Sequence, residues 1–571
     1  MFTTDAVLSE LVQRYGADWA KDRLSQYGQF AGSAAAIEMA IQANANEPVL
    51  HTHDRFGHRL DKVEFHPAYH SLMQAAVAAG IHSLPWTDIR EGAHVARAAL
   101  MYMAFQNEAG HCCPISMTYS VIPALRKQPD LAAIWEPMIC STNYDGSFRP
   151  AHEKSGITVG MGMTEKQGGS DVRANTTRAV PVSASVSASV SASVSASGPV
   201  PASVPVSVSG HSESSAPGIQ PYLLTGHKWF CSAPMSDAFL ILAQTTRGLS
   251  CFLVPRWRPD GTQNTLRIQR LKDKLGNRSN ASSELEFENA LGYLVGEEGR
   301  GVPTIIEMVN HTRLDCMIGA AALMRQSALQ AAHHASGRSA FGRLLIDQPL
   351  MSGVLADLAL ESEAALRMTM RVAQAYDRHS ASPAEAQFKR IASAIAKYWI
   401  CKRAPMHVAE ALECLGGNGY VEEGPMPRLF RESPLLGIWE GSGNVICLDV
   451  LRAVAKEPDT LDAFIAEVEK GAGKNKQFDR YLARLKRYVD KLKTKASKPS
   501  AAVEREQGAR LLVEQLALSL QASLMLQQAP AYVADAFIAS RLSGKSGLAF
   551  GSLPAAVKPL TTRSIVARAF G

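Results

Sequence analysis

Apolar residues recur at three- and four-residue steps through SLMQAAVAAGIHSL (71–84) and AHVARAALMYMAFQNEAG (93–110), the spacing of one helical face. Most of the first 160 residues read the same way. After Gly160 the pattern shortens to β-branched and aromatic runs (ITVGMGM, PYLLTGHKWF, AFLILAQTT, LSCFLVPRW, LRIQRL, SSELEFENA) punctuated by Gly, Pro and Asn. Those runs predict an antiparallel β region. Helical spacing resumes at Val302 and continues to the end of the chain. A helix block, a strand block and a helix block predict an α+β fold with separate layers, not a βαβ repeat. The expected units are an N-terminal helical domain (1–160), a central β domain (161–298), a helical bundle (299–450) and a further helical domain (451–571).

One stretch fits neither block. The segment 181–216 opens with repeats of Ser-Val-Ser-Ala and turns Pro-rich, and no partner of matching pattern exists for it. It reads as a low-complexity hairpin extension without a direct chemical role, since a loop between strands lengthens at small entropic cost.

Composition narrows the class. Of 571 residues, 46% are hydrophobic and 20% charged, a globular mix, and no run of ~18 apolar residues could span a bilayer. The start, MFTTDAVLSELVQRYG, lacks the basic and apolar regions of a secretory leader, so a cytoplasmic protein is expected. Nine cysteines are too few and too scattered for a disulfide scaffold, which also suits a reducing compartment.

The net charge of +6 divides unevenly: residues 451–571 hold 20 Lys/Arg and 11 Asp/Glu, or +9, leaving −3 for the rest. The cations concentrate at Lys474, Lys476, Arg480, Arg484, Lys486, Arg487, Lys491, Lys493, Lys495 and Lys498. In FDRYLARLKRYVDKLK (478–493), Phe478, Leu482, Leu485, Val489 and Leu492 form an apolar stripe opposite most of these cations. The basic face suits a polyanion, a membrane surface or a partner protein, and equally a merely solvated helix.

Familiar catalytic motifs are missing. Gly160-Met161-Gly162 has no third glycine in register, and Leu415–Tyr420 (LGGNGY) follows a helix, so no Rossmann or P-loop signature is present. His111-Cys112-Cys113 has no answering cluster and reads as buried thiols rather than a metal site. No G-x-S-x-G elbow occurs.

The informative residues form an ordered set: MTEKQGGSD (163–171), GHKWFCS (226–232), KLGNRS (274–279), RSAFG (338–342), LGGNGY (415–420) and IWEGSGN (438–444). Across roughly residues 50–450 this set resembles the acyl-CoA dehydrogenase flavoproteins. The resemblance implies a helical, β and four-helix-bundle arrangement, assembled as a tetramer (a dimer of dimers) with FAD at subunit interfaces. It places Met163, Thr164, Gly169 and Ser170 around the flavin pyrimidine and Ser232 at N5. Phe230 falls where a Trp usually shields the ring. Arg338 and Phe341, with Gln348 nearby, match residues that reach a neighbouring subunit's FAD. Gly416 and Gly417 match a close diphosphate or ribityl contact, and Ser442 and Asn444 match polar contacts beyond the base. Glu440 matches the carboxylate that removes a substrate α-proton, with Ile438 and Trp439 as apolar neighbours that would raise its pKa. Arg431 and Glu432 match a loop-ordering pair.

Some features depart from the β-oxidation members: TEKQGGSD replaces T-E-P-x-A-G-S-D, Phe230 replaces Trp, and Glu413 stands where Gln is common. The basic extension and the stretches RLKDKLGNRSNAS and PRLFRESP are similar to the AidB-type members of the bacterial response to alkylating agents. That likeness implies non-specific binding of double-stranded DNA, protection against alkylation, and at most weak acyl-CoA dehydrogenase activity. The candidate DNA contacts are Lys474, Lys476, Arg480, Arg484, Lys486, Arg487, Lys491, Lys493, Arg541, Arg563 and Arg568. The alternative is a metabolic short- or branched-chain acyl-CoA dehydrogenase whose extension serves assembly.

Overall fold

A computed structural model describes residues 1–182, 219–495 and 502–571, with residues 492–495 described by backbone alone. The insertion from 183 to 216, and the Leu492 and Lys493 side chains, lie outside the described residues.

The expected order of layers is what the chain adopts. The N-terminal region is helical, and two of its helices matter for the site: α1 (Ala93–Asn107) and α2 (Cys112–Ser120). Every residue of α1 is buried, so it is a central helix, not an amphipathic surface one. Its Arg97 is neutralised by a forked ion pair with Asp315. Unforeseen by periodicity is an antiparallel hairpin, β1 (Val49–His53) with β2 (Arg59–Glu64). Its strands are short and only Asp61 and Val63 are buried, so they carry little hydrophobic alternation.

The central region contains β3 (Val159–Gly162), β4 (Arg178–Pro181), β5 (Pro221–Ser232), β6 (Ala238–Thr245), β7 (Gly248–Pro255), β8 (Leu266–Leu271) and β9 (Ser282–Val295). The ladder β6–β4–β5–β9–β7 returns to β6, closing the sheet on itself. Most pairs are antiparallel, but β3 lies parallel to β6, and β4 touches β6 in parallel at Arg178–Gln244. An alternating pattern reveals a strand but not its direction, which here depends on partners distant in sequence.

Helices α3 (Gly301–Gly337), α4 (Pro349–Arg378) and α5 (Pro383–Glu413) pack side by side, and α6 (Gly443–Lys456) completes the bundle. Then come α7 (Pro458–Glu469), α8 (Lys476–Lys495), α9 (Ala502–Gln528), α10 (Ala531–Arg541) and α11 (Pro559–Phe570). In α8 the apolar stripe Phe478, Leu482, Leu485 and Val489 is buried, as its spacing predicts. In α9, Leu512, Val513, Leu516, Leu520 and Leu524 join the same continuous core as the bundle. The C-terminal region is thus fused to the bundle through shared burial.

Two expected DNA contacts are corrected by this packing. Arg541 pairs with Asp357 and Glu361, and Arg568 with Glu363. Both cations point into the protein, where neighbouring carboxylates already neutralise them.

Candidate active site

The loop after β3 is built around Glu165. Its carboxylate is fully buried and accepts the N–H and O–H groups of Thr176 and Thr177 as well as the Lys228 ammonium at 2.7 Å. Burial alone would raise its pKa, but Lys228 and the threonine donors outweigh it and hold it at about 2. Around this anchor the loop folds tightly: a Cβ at Gly169 would lie 2.4 Å from Thr164 Oγ1, so the turn requires glycine. The carbonyl of Thr164 accepts the Trp229 N–H, fixing the loop to β5.

At the end of β5, Ser232 lies opposite Ser282 on β9, their hydroxyls 3.0 Å apart. Phe230, two residues earlier, is 51% exposed, and Lys272 stands over its ring. The Cys113 thiol at the start of α2 lies beside Ser232 and Asn280, within electrostatic reach of Lys274 and Glu440. Burial pushes that thiol up to about 12, which keeps it protonated. Burial likewise lowers the Lys274 ammonium to about 8.

Glu440 occupies a strained turn, with φ of 59°, followed by Gly441 at 107°. Two buried cations fix this conformation. Arg313 Nε donates to the Glu440 carbonyl at 3.2 Å, and Lys397 Nζ donates to the Gly441 carbonyl at 2.5 Å. Asp449 neutralises Arg313 at 2.8 Å. One carboxylate oxygen of Glu440, Oε2, is buried without a hydrogen-bond partner. Its pKa is raised, chiefly by desolvation, against the opposing effects of Thr312, Lys397 and Arg313. A poorly solvated carboxylate in a rigid turn can act as a base toward a weakly acidic C–H.

Trp439, Met161 and Met163 all pack against one core cluster, and Cys113, within electrostatic reach of Glu440 and beside Ser232, connects the base turn to the end of β5. Ile438 is 63% exposed. Ser442 caps α6 without a side-chain hydrogen bond, and Asn444 Oδ1 accepts from Arg510 at 2.9 Å. Arg431 and Glu432 do not pair with each other. Arg431 binds Glu422, whereas Glu432 accepts the Asn277 N–H at 2.9 Å and anchors the KLGNRS turn.

The remaining expected cofactor residues lie elsewhere in the chain. Arg338 and Phe341 follow α3, whose rise of 1.5 Å per residue puts Gly337 ~36 Å beyond Arg313. Phe341, at the tip of a tight hairpin, is 97% exposed, and Gln348 braces that hairpin through the Ala340 carbonyl. Gly416 and Gly417 stand in open space past the end of α5. That end lies ~24 Å along the helix from Lys397. Within one chain, therefore, Arg338 and Phe341 lie far along α3, and Gly416 and Gly417 far along α5, from the clamped Glu440 turn.

Sequence reading missed Thr312, Arg313 and Lys397. The available signal was polar residues embedded in the helical runs NHTRLDCMIGAA and RIASAIAKYWIC. A buried cation in such a run must have a partner, although the sequence does not name it.

Comparison with known proteins follows the same lines. Residues 1–146 match the adaptive response protein AidB N-terminal domain, residues 207–290 the acyl-CoA dehydrogenase middle domain, and residues 299–455 the acyl-CoA dehydrogenase C-terminal domain. The chain is 42% identical to AidB of Escherichia coli (strain K12) over 550 residues, covering 96% of this chain and 93% of that one. It is 28% identical to acyl-CoA dehydrogenase family member 11 of Caenorhabditis elegans, over 82% of this chain and 72% of the other. The solved structure of apo Bd2924 superposes with a TM-score of 0.78 at 27% identity, over 93% of this chain and 98% of that one. No helix among the described residues is long and apolar enough to cross a membrane.

Proposed function

Because this chain belongs to the acyl-CoA dehydrogenase family, within its AidB group, we propose that it is an FAD-binding protein that also grips double-stranded DNA and protects it from alkylation. The observation that carries the cofactor reading is the Glu440 turn: a desolvated carboxylate oxygen without an internal partner, clamped by Arg313 and Lys397 and within electrostatic reach of Cys113, which adjoins Ser232. Such a group is costly unless it faces a ligand. Exposed Phe230 and Ile438 and the open backbone at Gly416 and Gly417 suit a planar, phosphate-bearing cofactor.

In this reading Met163, Thr164, Gly169 and Ser170 would hold the pyrimidine side of the flavin, with Ser232 toward N5 and Phe230 shielding the ring. Ile438, Trp439, Ser442 and Asn444 line the base side. When bound, FAD supplies a hydride acceptor. Glu440 then takes the α-proton of an acyl thioester, and Arg313 and Lys397 keep its backbone from relaxing. The dehydrogenase activity is residual, and DNA protection is the principal role.

Arg338, Phe341, Gln348, Gly416 and Gly417 complete the FAD site of a second copy, a reading supported by their separation from the Glu440 turn along α3 and α5, and the assembly is a homotetramer. Phe341→Asp is expected to leave the thermal midpoint within about 2 °C, because the side chain touches almost nothing in its own chain. It should nevertheless weaken self-association in analytical ultracentrifugation and lower bound FAD together. An unchanged oligomer that keeps its FAD would remove the shared-site reading.

DNA binding is supported by the exposed face of α8 and the turn before it: Lys474, Lys476, Arg480, Arg484, Lys486, Arg487 and Lys491 all face solvent. Arg563 on α11 is exposed as well. Lys486 already pairs with Glu469 at 2.6 Å, so part of its charge is spent. Phosphate contact predicts that affinity for a random duplex falls ~10³-fold or more between 50 and 200 mM salt. The Arg480→Gln/Arg487→Gln pair should make the log–log slope less negative by roughly 0.9 per lost contact. Affinity unchanged by salt would exclude a phosphate grip.

A further inference from the structure

We infer that Arg510 of the C-terminal extension is a positioning residue for the cofactor site, acting through Asn444; the inference rests on the FAD reading above. Arg510 projects from the N-terminal part of α9 onto the start of α6. Its Nε donates to Asn444 Oδ1 at 2.9 Å, and its Nη2 would stand 3.7 Å from a Cβ placed on Gly443. Lys402 approaches the same glycine, with Cε at 3.6 Å from that position. Among the described residues, the hydrogen-bond partner of Arg510 is this neutral amide.

The direction of that bond carries the argument. A guanidinium has five N–H donors and no acceptor, so it can receive Asn444 only by its carbonyl oxygen. The amide is thereby held in one of its two orientations, with its NH₂ group turned away from Arg510. Asn444 stands four residues after Glu440, in the first turn of α6, which follows directly on the turn that Arg313 and Lys397 fix. Arg510 thus completes the set by selecting which end of Asn444 the site presents: a donor, suited to a phosphate, ribityl or ring oxygen of the cofactor. Nothing in the IWEGSGN motif could reveal this, because Arg510 lies beyond the end of the dehydrogenase domain match at residue 455.

The test uses the full-length protein, with FAD affinity read from flavin fluorescence and thermal midpoints recorded alongside. Arg510 is exposed, so Arg510→Ala should fold normally and yet bind FAD about tenfold more weakly, the size of one lost oriented hydrogen bond. Arg510→Lys keeps a donor and should recover part of the loss. In an Asn444→Ala background, Arg510→Ala should add no further loss, because the residue acts through that amide. Affinity of Arg510→Ala within twofold of wild type, or additive losses in the double variant, would overturn the inference while leaving FAD binding intact. Wild-type protein that takes up no FAD would instead remove the underlying reading, and this inference with it.

Discussion

Replacement of Glu440 by Gln should slow anaerobic bleaching of the flavin by a short branched acyl-CoA by ~10³-fold, within the range a positioned base contributes. The side chain is nearly isosteric, and its backbone clamps, Arg313 on the Glu440 carbonyl and Lys397 on the Gly441 carbonyl, do not depend on the carboxylate. FAD content and melting temperature should therefore stay close to wild type, which separates lost chemistry from lost structure. The pH dependence has a fixed sign. Desolvation raises the Glu440 pKa, so the basic form appears only as pH climbs through that raised value. Bleaching in the wild type should rise with pH to a plateau, and the residual rate of the Gln variant should lack that limb. Equal rates in the two proteins would mean that Glu440 is not the base.

The largest effect on stability is expected at Lys228→Met. The Lys228–Glu165 pair is fully buried on both sides, and removing one partner of such a pair costs about 3–5 kcal/mol. Glu165 would keep its threonine donors but lose its counter-ion, and the loop carrying Thr164, Gly169 and Ser170 would loosen. Both a drop of roughly 10 °C in the apparent melting temperature and loss of bound FAD should follow. Removing the carboxylate as well should not restore the protein, because the Thr176 and Thr177 N–H groups would then lose their acceptor. The contribution of Glu165 also follows pH in a set way. Its folded pKa is depressed to about 2, so its stabilisation is complete above the unfolded carboxylate range and disappears as pH falls through 2. A Lys228→Met protein with wild-type melting and full FAD content would contradict this account of the loop.

How much of this was legible in the sequence depended on how local each feature is. The α8 stripe, the Glu440 turn and the glycine-rich loop are short segments whose residues act on near neighbours, and each could be read from spacing or motif. The fate of Arg541 and Arg568 could not. A charge count registers them as surplus, whereas their carboxylates, Asp357, Glu361 and Glu363, come from α4 about two hundred residues earlier. Similarly, the basic tail reads as a separate appendage. In the structure Leu512, Val513 and Leu516 of α9 are buried in the bundle's own core. Deleting residues 451–571 would therefore expose that core, and point substitutions on α8 are the sounder probe of DNA contact. The Arg313 and Lys397 clamps escaped notice because a buried cation announces that it has a partner without identifying it.

The cofactor is the premise on which base, shared site and Arg510 all depend, and it is open to a single observation. Full-length protein, purified and then incubated with excess FAD and desalted, should show a bound-flavin absorbance band with about one FAD per chain. Protein that emerges colourless and retains no flavin after that incubation would contradict the account at its root.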